Sequence, residues 1–252
     1  MPYLPFVPRG IRPLNTWVTR VFQTWLLHWR AWLVLGFIYS LGINGSRYLL
    51  QWALGTPTGA EEVTRYLPEW WMLAGGGLLP RALLDPGLLI IALKQLRRQP
   101  YDFPDLLAGL RVFPAALGAV LLIILLTLGG LALFCIGAIY VVVVSYLALP
   151  ILVDQRRRPV DAIRQSFAIV NQNIVLFFLY AFTFWALTML PGGAIASLQA
   201  QYPVLGGAVG IAFGMLTLSW WLLAQAVAYD QVFVWNAPAS PMEETLPPEE
   251  ER

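Results

Sequence analysis

Apolar residues run along this chain in blocks too long for a water-soluble fold, with short amphipathic stretches between them. A helix rises 1.5 Å per residue and must cover roughly 30 Å of hydrocarbon, so about 20 apolar residues make a span. Six blocks qualify, at about 31–54, 68–93, 113–131, 136–153, 174–196 and 204–229. The run from Ala115 to Val153 is too long for one crossing, and Gly129, Gly130 and the Gly137 region supply the turn that divides it. The pattern predicts an all-α fold, a polytopic transmembrane helical bundle of about six spans. Residues 1–13 form an N-terminal cytoplasmic segment, 14–235 a single membrane domain, and 236–252 a disordered, acidic, Pro-rich cytoplasmic tail with little to bury.

Three segments on the same side of these spans have the i, i+3, i+4, i+7 rhythm of an amphipathic helix. In 14–30, Leu14, Trp17, Val18, Val21, Phe22, Trp25, Leu26 and Trp29 share one face, and Thr16, Arg20, Gln23 and Thr24 the other. Such a helix is expected in the membrane interface, with Trp17, Trp25 and Trp29 at headgroup depth. "YDFPDLLAGLRVF", from Tyr101 to Phe113, is a shorter version. In the third, Pro159 starts a helix whose stripe is Val160, Ile163, Phe167 and Val170, with Ile163 and Phe167 as its interfacial anchors. Each segment precedes a pair of spans, so the chain reads as three copies of an interfacial helix plus a membrane hairpin.

Composition supports the membrane reading. Of 252 residues, 58% are hydrophobic and 12% charged, against about 25% charged in soluble domains; the mean hydropathy is +0.65. The net charge of +2 is too small for nucleic-acid binding. One cysteine (Cys135) and one histidine (His28) exclude a disulfide framework and most metal sites, and no cofactor or metal is expected. No cleavable signal peptide is read in the Pro-rich N-terminus.

The distribution of charge is more informative than its sum. Arg9, Arg12, Arg20, Arg30, Lys94, Arg97, Arg98, Arg111, Arg156, Arg157, Arg158 and Arg164 fall on one side of the spans, and only Arg47 and Arg65 on the other. The positive-inside rule then places both termini in the cytoplasm of a multi-pass protein of the bacterial cytoplasmic (inner) membrane.

Within the spans, Arg81 and Asp85 stand four residues apart, on one face of a continuous helix, and are expected to pair. Each alone costs about 2.5–3.5 kcal/mol at mid-bilayer. They are either a proton or substrate relay or a structural pair beside the helix break that Pro80 and Pro86 create. Arg97, Arg98, Arg156, Arg157, Arg158 and Arg164 are candidate contacts for anionic lipid headgroups or a partner, and also topology anchors. Gly206, Gly210 and Gly214 form a small-residue stripe suited to close helix packing, within the monomer or between copies. His28 is read as an interfacial residue. The chain has no P-loop, dinucleotide fingerprint, zinc-ligand pair or nucleophile elbow, so no catalytic residue is expected.

"ALPILVDQRRRPVDAIRQSFAIVNQN" places Pro150, Asp154, Pro159, Ala162, Ser166 and Asn171 or Asn173 in an order that resembles a bacterial six-helix membrane superfamily. "DPGLLIIALKQLRRQPYDFPDLLAGLRVF" is similar to the upstream segment of the same proteins. The superfamily includes the membrane domain of some glycerophosphodiester phosphodiesterases and related uncharacterised membrane proteins. The resemblance covers about residues 80–230 and implies a fold; no phosphodiesterase domain is read in this chain, so that activity is not implied.

The expectation is a non-enzymatic integral membrane protein: an accessory, scaffold or assembly factor, or a subunit of a membrane complex. The alternative is a small transporter or lipid-handling protein using Arg81, Asp85 and the basic loops. Expected partners are membrane lipids with anionic headgroups and a membrane-protein partner or second copy, with no nucleic acid.

Overall fold

The computed structural model describes residues 13–54, 78–132 and 134–233, and no strand occurs among them. The expected N-terminal segment to residue 12, Arg65, the first ten residues of the second block and the acidic tail lie outside the described residues, as do the side chains of Arg47 and Cys135. The helices are α1 (Leu14–Leu27), α2 (Trp29–Leu54), α3 (Leu78–Leu96), α4 (Phe103–Ala132), α5 (Phe134–Val144), α6 (Ala148–Gln155), α7 (Pro159–Gln172), α8 (Ile174–Gln201) and α9 (Pro203–Phe233). Among the described residues, four stretches are long and apolar enough to cross a membrane: Phe103–Ala132, Ile136–Gln155, Ile174–Ile195 and Ala208–Phe233. They coincide with the third to sixth predicted blocks. α2 is interrupted by Asn44, Ser46, Arg47 and Gln51, and α3 carries Arg81, Asp85 and Lys94 within 19 residues.

Local chemistry sets the helix ends. The Asp102 N–H donates to Asp105 Oδ2 at 2.9 Å, the reach-back of a capping box, and Asp105 sits in the first turn of α4, where the helix dipole favours an anion. α7 begins at Pro159 with Asp161 in its first turn, as the sequence predicts. Arg98 follows α3 and Arg156 closes α6, both with positive φ (54° and 50°), the conformation in which helices commonly stop.

The three amphipathic segments differ from expectation. α1 does not lay its tryptophans in an interface: Trp17 is 1% exposed, edge-on to Phe177 at 5.7 Å and Tyr180 at 5.2 Å. Trp25 packs on Trp220, and only Trp29, at the start of α2, is exposed. The Tyr101–Phe113 segment is not a separate helix; from Phe103 it is continuous with the apolar stretch that ends at Ala132. In α7 the buried stripe is Ala162, Ile163, Ser166, Ile169 and Val170, while Val160 is exposed and Phe167 packs edge-on to Tyr140. An apolar stripe records that a face is covered, but bundle and lipid interface satisfy it equally.

The apolar stretch Ile136–Gln155 breaks at residues 145–147, and Ser166 of α7 fills the gap. Its hydroxyl donates to the Val144 carbonyl at 2.7 Å and accepts from the Leu147 N–H at 3.1 Å. In apolar surroundings orphaned backbone groups are costly, so one buried hydroxyl makes the break tolerable. The core forms around this joint from Leu88, Leu89, Ala92, Val144, Leu147, Ile151, Phe177, Tyr180 and Leu223 to Tyr229.

The tightest glycine contacts described between helices lie outside the predicted stripe. A Cβ on Gly109 would lie 2.6 Å from the Gly87 nitrogen, and one on Gly87 would strike the Leu106 carbonyl, so α3 and α4 touch backbone to backbone. Gly130 and Gly137 do the same across the α4–α5 turn, where a Cβ on Gly130 would lie 2.7 Å from the Gly137 oxygen. Gly206 is buried, but a Cβ on Gly210 would touch only Ile195, at 3.4 Å, and one on Gly214 would meet nothing within 4 Å.

Two stability predictions follow from these contacts. Gly109→Val should destabilise by about 1–3 kcal/mol or more through overpacking, whereas Gly214→Ala should leave the thermal midpoint in detergent within a degree or so of wild type. Ser166→Ala, by stranding the Leu147 N–H, should cost about 1–3 kcal/mol. Ser145→Ala should cost far less, because that hydroxyl bonds only its own helix at Val142.

Candidate functional site

At the charged end of the bundle, the end of α3, the start of α4 and the end of α6 converge on a cavity of about 590 Å³. Lys94, Arg97, Arg111, Arg156 and Arg157 line it, with Asp105 and Asp154 as its acids. Ile90, Val112 and Leu152 are among the apolar residues of its floor. The charges converge because α3 and α6 both terminate here on basic turns and α4 starts here, so three chain ends share one volume.

The wall is held by specific pairs. Lys94 Nζ donates to Asp105 Oδ1 at 2.7 Å. Arg97 grips Asp154 with two parallel bonds of 2.8 and 2.9 Å, the bidentate geometry that makes arginine–carboxylate pairs strong. The Asp154 hydrogen bonds hold the Arg97 guanidinium above its ordinary pKa, against the opposing effect of partial burial. The Tyr229 hydroxyl donates to Asp154 Oδ2 at 2.7 Å and accepts from Gln155 Nε2 at 3.2 Å, and Arg157 Nε donates to Gln155 Oε1 at 3.0 Å.

Behind this wall lies Asp230, whose side chain is 5% exposed; Arg20 of α1 pairs with it at 2.7 Å. Arg97 Nε stands 3.9 Å from Asp230 Oδ1, and both atoms are buried without a hydrogen-bond partner. The chain thus ties α1, the α3–α4 turn, α6 and α9 through one run of alternating charge.

Arg111 and Arg156 enter no hydrogen bond or ion pair among the described residues, although both line the cavity. Counting the cavity charges, five basic groups face two carboxylates, leaving a surplus of three. A concave, partly apolar site with uncommitted guanidiniums can take a phosphate or carboxylate group attached to an apolar body.

Of the basic residues singled out in the sequence, Arg156 and Arg157 line this cavity, while Arg97 is committed to Asp154. Arg98, Arg158 and Arg164 are exposed and outside it. Sequence reasoning did not single out Lys94, Arg111, Tyr229 or Asp230 as site residues. Asp230, a lone acid at the end of a long apolar block, was the available signal, since an acid there needs a cation. His28 also has a partner: its Nδ1 lies 3.2 Å from the Tyr101 hydroxyl.

Arg81 and Asp85 occupy a second cavity, of about 470 Å³, between α2, α3, α8 and α9. They do not form the expected direct pair; the ion pairs among the described residues are Arg20–Asp230, Lys94–Asp105, Arg97–Asp154 and the longer Arg97–Asp230. Tyr39 of α2 stands between them, donating to Asp85 and accepting from Arg81.

No family model, no curated protein and no solved structure matches this chain.

Arg20→Gln and Asp230→Asn should each lower stability, by about 1–3 kcal/mol given that Arg20 is one-third exposed. Combined, they should cost less than the sum by about 1 kcal/mol, because the double variant leaves no charge unpaired; a thermal-unfolding double-mutant cycle reads this directly.

Proposed function

We propose that this protein is a non-enzymatic lipid-handling protein of the bacterial cytoplasmic membrane, which holds anionic lipid headgroups in its basic cavity. In this reading α2 and α3 also cross the bilayer, making six spans with both termini and the cavity on the cytoplasmic side. The observation that carries it is the pair of uncommitted arginines, Arg111 and Arg156, in a cavity with a surplus of basic charge and an apolar floor. The 26 residues of α2 give a length of about 39 Å, sufficient to span. The resemblance of residues 80–230 to six-helix bacterial membrane domains supports the same fold and brings no activity with it. An accessory role in a larger complex is compatible with this cavity, which would supply its lipid contact.

Each basic residue near an anionic surface contributes about 1 kcal/mol, or about fivefold in affinity. Arg111→Gln with Arg156→Gln should therefore weaken retention of phosphatidylglycerol by about 25-fold, read by native mass spectrometry of the full chain. Arg164→Gln, outside the cavity, should change it little. Retention equal to wild type in the double variant would overturn the proposal. For topology, a fluorescent protein fused after Arg252 should fold and fluoresce, whereas an insertion near Arg65 should be accessible only from the non-cytoplasmic face of the membrane.

A further inference from the structure

The second cavity lies deeper. Asp85 is twelve residues before Arg97 on a helix rising 1.5 Å per residue, about 18 Å from the charged end. Its polar lining includes Tyr39, Arg81, Asp85, Thr188 and Thr217. Thr188 and Thr217 donate to carbonyls of their own helices, at Trp185 and Gly214, which leaves their oxygens able to accept. Asp85 Oδ1 is buried without a hydrogen-bond partner. A carboxylate oxygen in that position lacks a donor, and burying it so is costly.

Against this cavity lies a third, of about 410 Å³, whose lining is almost wholly apolar: Ile139, Val142, Phe178 and Phe182 are among its residues. Trp185 and Trp221 line both cavities, so a polar chamber and an apolar groove meet at two tryptophans. Indole rings, apolar in body and polar at one edge, suit such a boundary. Gly214 also lines the polar chamber, which explains why a Cβ there would meet nothing: this glycine leaves space rather than closing a helix contact.

The occupant follows from the charges. A simple anion or cation would face one attractive and one repulsive group. Tyr39 keeps Arg81 and Asp85 from direct pairing, so each retains capacity for a ligand of opposite sign. The adjoining groove requires a hydrocarbon chain. We infer that these two cavities together form a binding site for a zwitterionic amphiphile of the aminophospholipid class, its ammonium on Asp85, its phosphate on Arg81 and one acyl chain across Trp185 and Trp221 into the groove. This site stands independently of the cytoplasmic cavity: the two share α3 but no lining residue, and they take ligands of different charge.

The test uses the full chain, purified in mild detergent, delipidated, and titrated with phosphatidylethanolamine or phosphatidylglycerol of identical chains while native mass spectrometry counts bound lipid. The Arg111→Gln, Arg156→Gln background removes the cytoplasmic cavity from the measurement. There, one phosphatidylethanolamine should bind at least tenfold more tightly than phosphatidylglycerol. Asp85→Asn and Arg81→Gln should each weaken it at least fivefold. Gly214→Leu, which fills the chamber without altering a charge, should abolish it while the thermal midpoint stays near that of wild type. Gly214→Leu decides the matter if a charge variant fails to fold. Equal binding of the two lipids, or undiminished phosphatidylethanolamine binding in folded Gly214→Leu, would overturn the inference. So would competition by free phosphoethanolamine at the affinity of the whole lipid, since that ligand makes no use of the groove. Failure here with intact phosphatidylglycerol retention in wild type would leave the cytoplasmic proposal standing.

Discussion

The architecture depends on neutralising Asp230 and Asp154 where four chain segments meet. A carboxylate as buried as Asp230 is strongly unfavourable alone, and Arg20 reaches it only if α1 lies along α9. Arg97 reaches Asp154 only if the end of α3 abuts the end of α6, and Tyr229 ties Asp154 and Gln155 of α6 to α9. Packing of apolar faces is nearly indifferent to rotation and sliding when the surroundings are themselves apolar. These directional pairs supply the register that hydrophobic contact does not.

A second constraint is backbone satisfaction. The apolar stretch Ile136–Gln155 is broken in the middle of the core, and the hydroxyl of Ser166 supplies a donor and an acceptor at the gap. Breaking the helix turns Asp154 and Arg156 towards α4, and this closes the basic cavity on its third side. The backbone contacts at Gly87 and Gly109 set how near α3 and α4 come, and hence how wide that cavity is. Stability and the site share the same joints, so substitutions at Ser166 or Gly109 act on both.

The two polar cavities differ in charge and in position along α3. One is basic and lies at the charged end of the bundle; the other is balanced in charge and bordered by tryptophans and an apolar groove.

Much of this was legible in the sequence. Block lengths set the helical class, because covering hydrocarbon demands length, and the long run is divided as expected, but between Ala132 and Phe134. Gly129 and Gly130 lie within α4 and Gly137 within α5, where Gly130 and Gly137 allow close helix contact rather than forming the turn. Pro159 and Asp161 marked a helix start by local chemistry alone. The sequence could not tell what covers an amphipathic face: Trp17 shows the same spacing whether it meets headgroups or Tyr180. Nor could it tell that Gly214 opens a chamber while Gly109 closes a contact, or that Tyr39 stands between Arg81 and Asp85. Helix content, span length and charge asymmetry are one-dimensional properties, and the chain determined them by itself. Partner choice among charges, and the voids left between helices, depend on distances between residues far apart in the chain, and only the tertiary packing decided those.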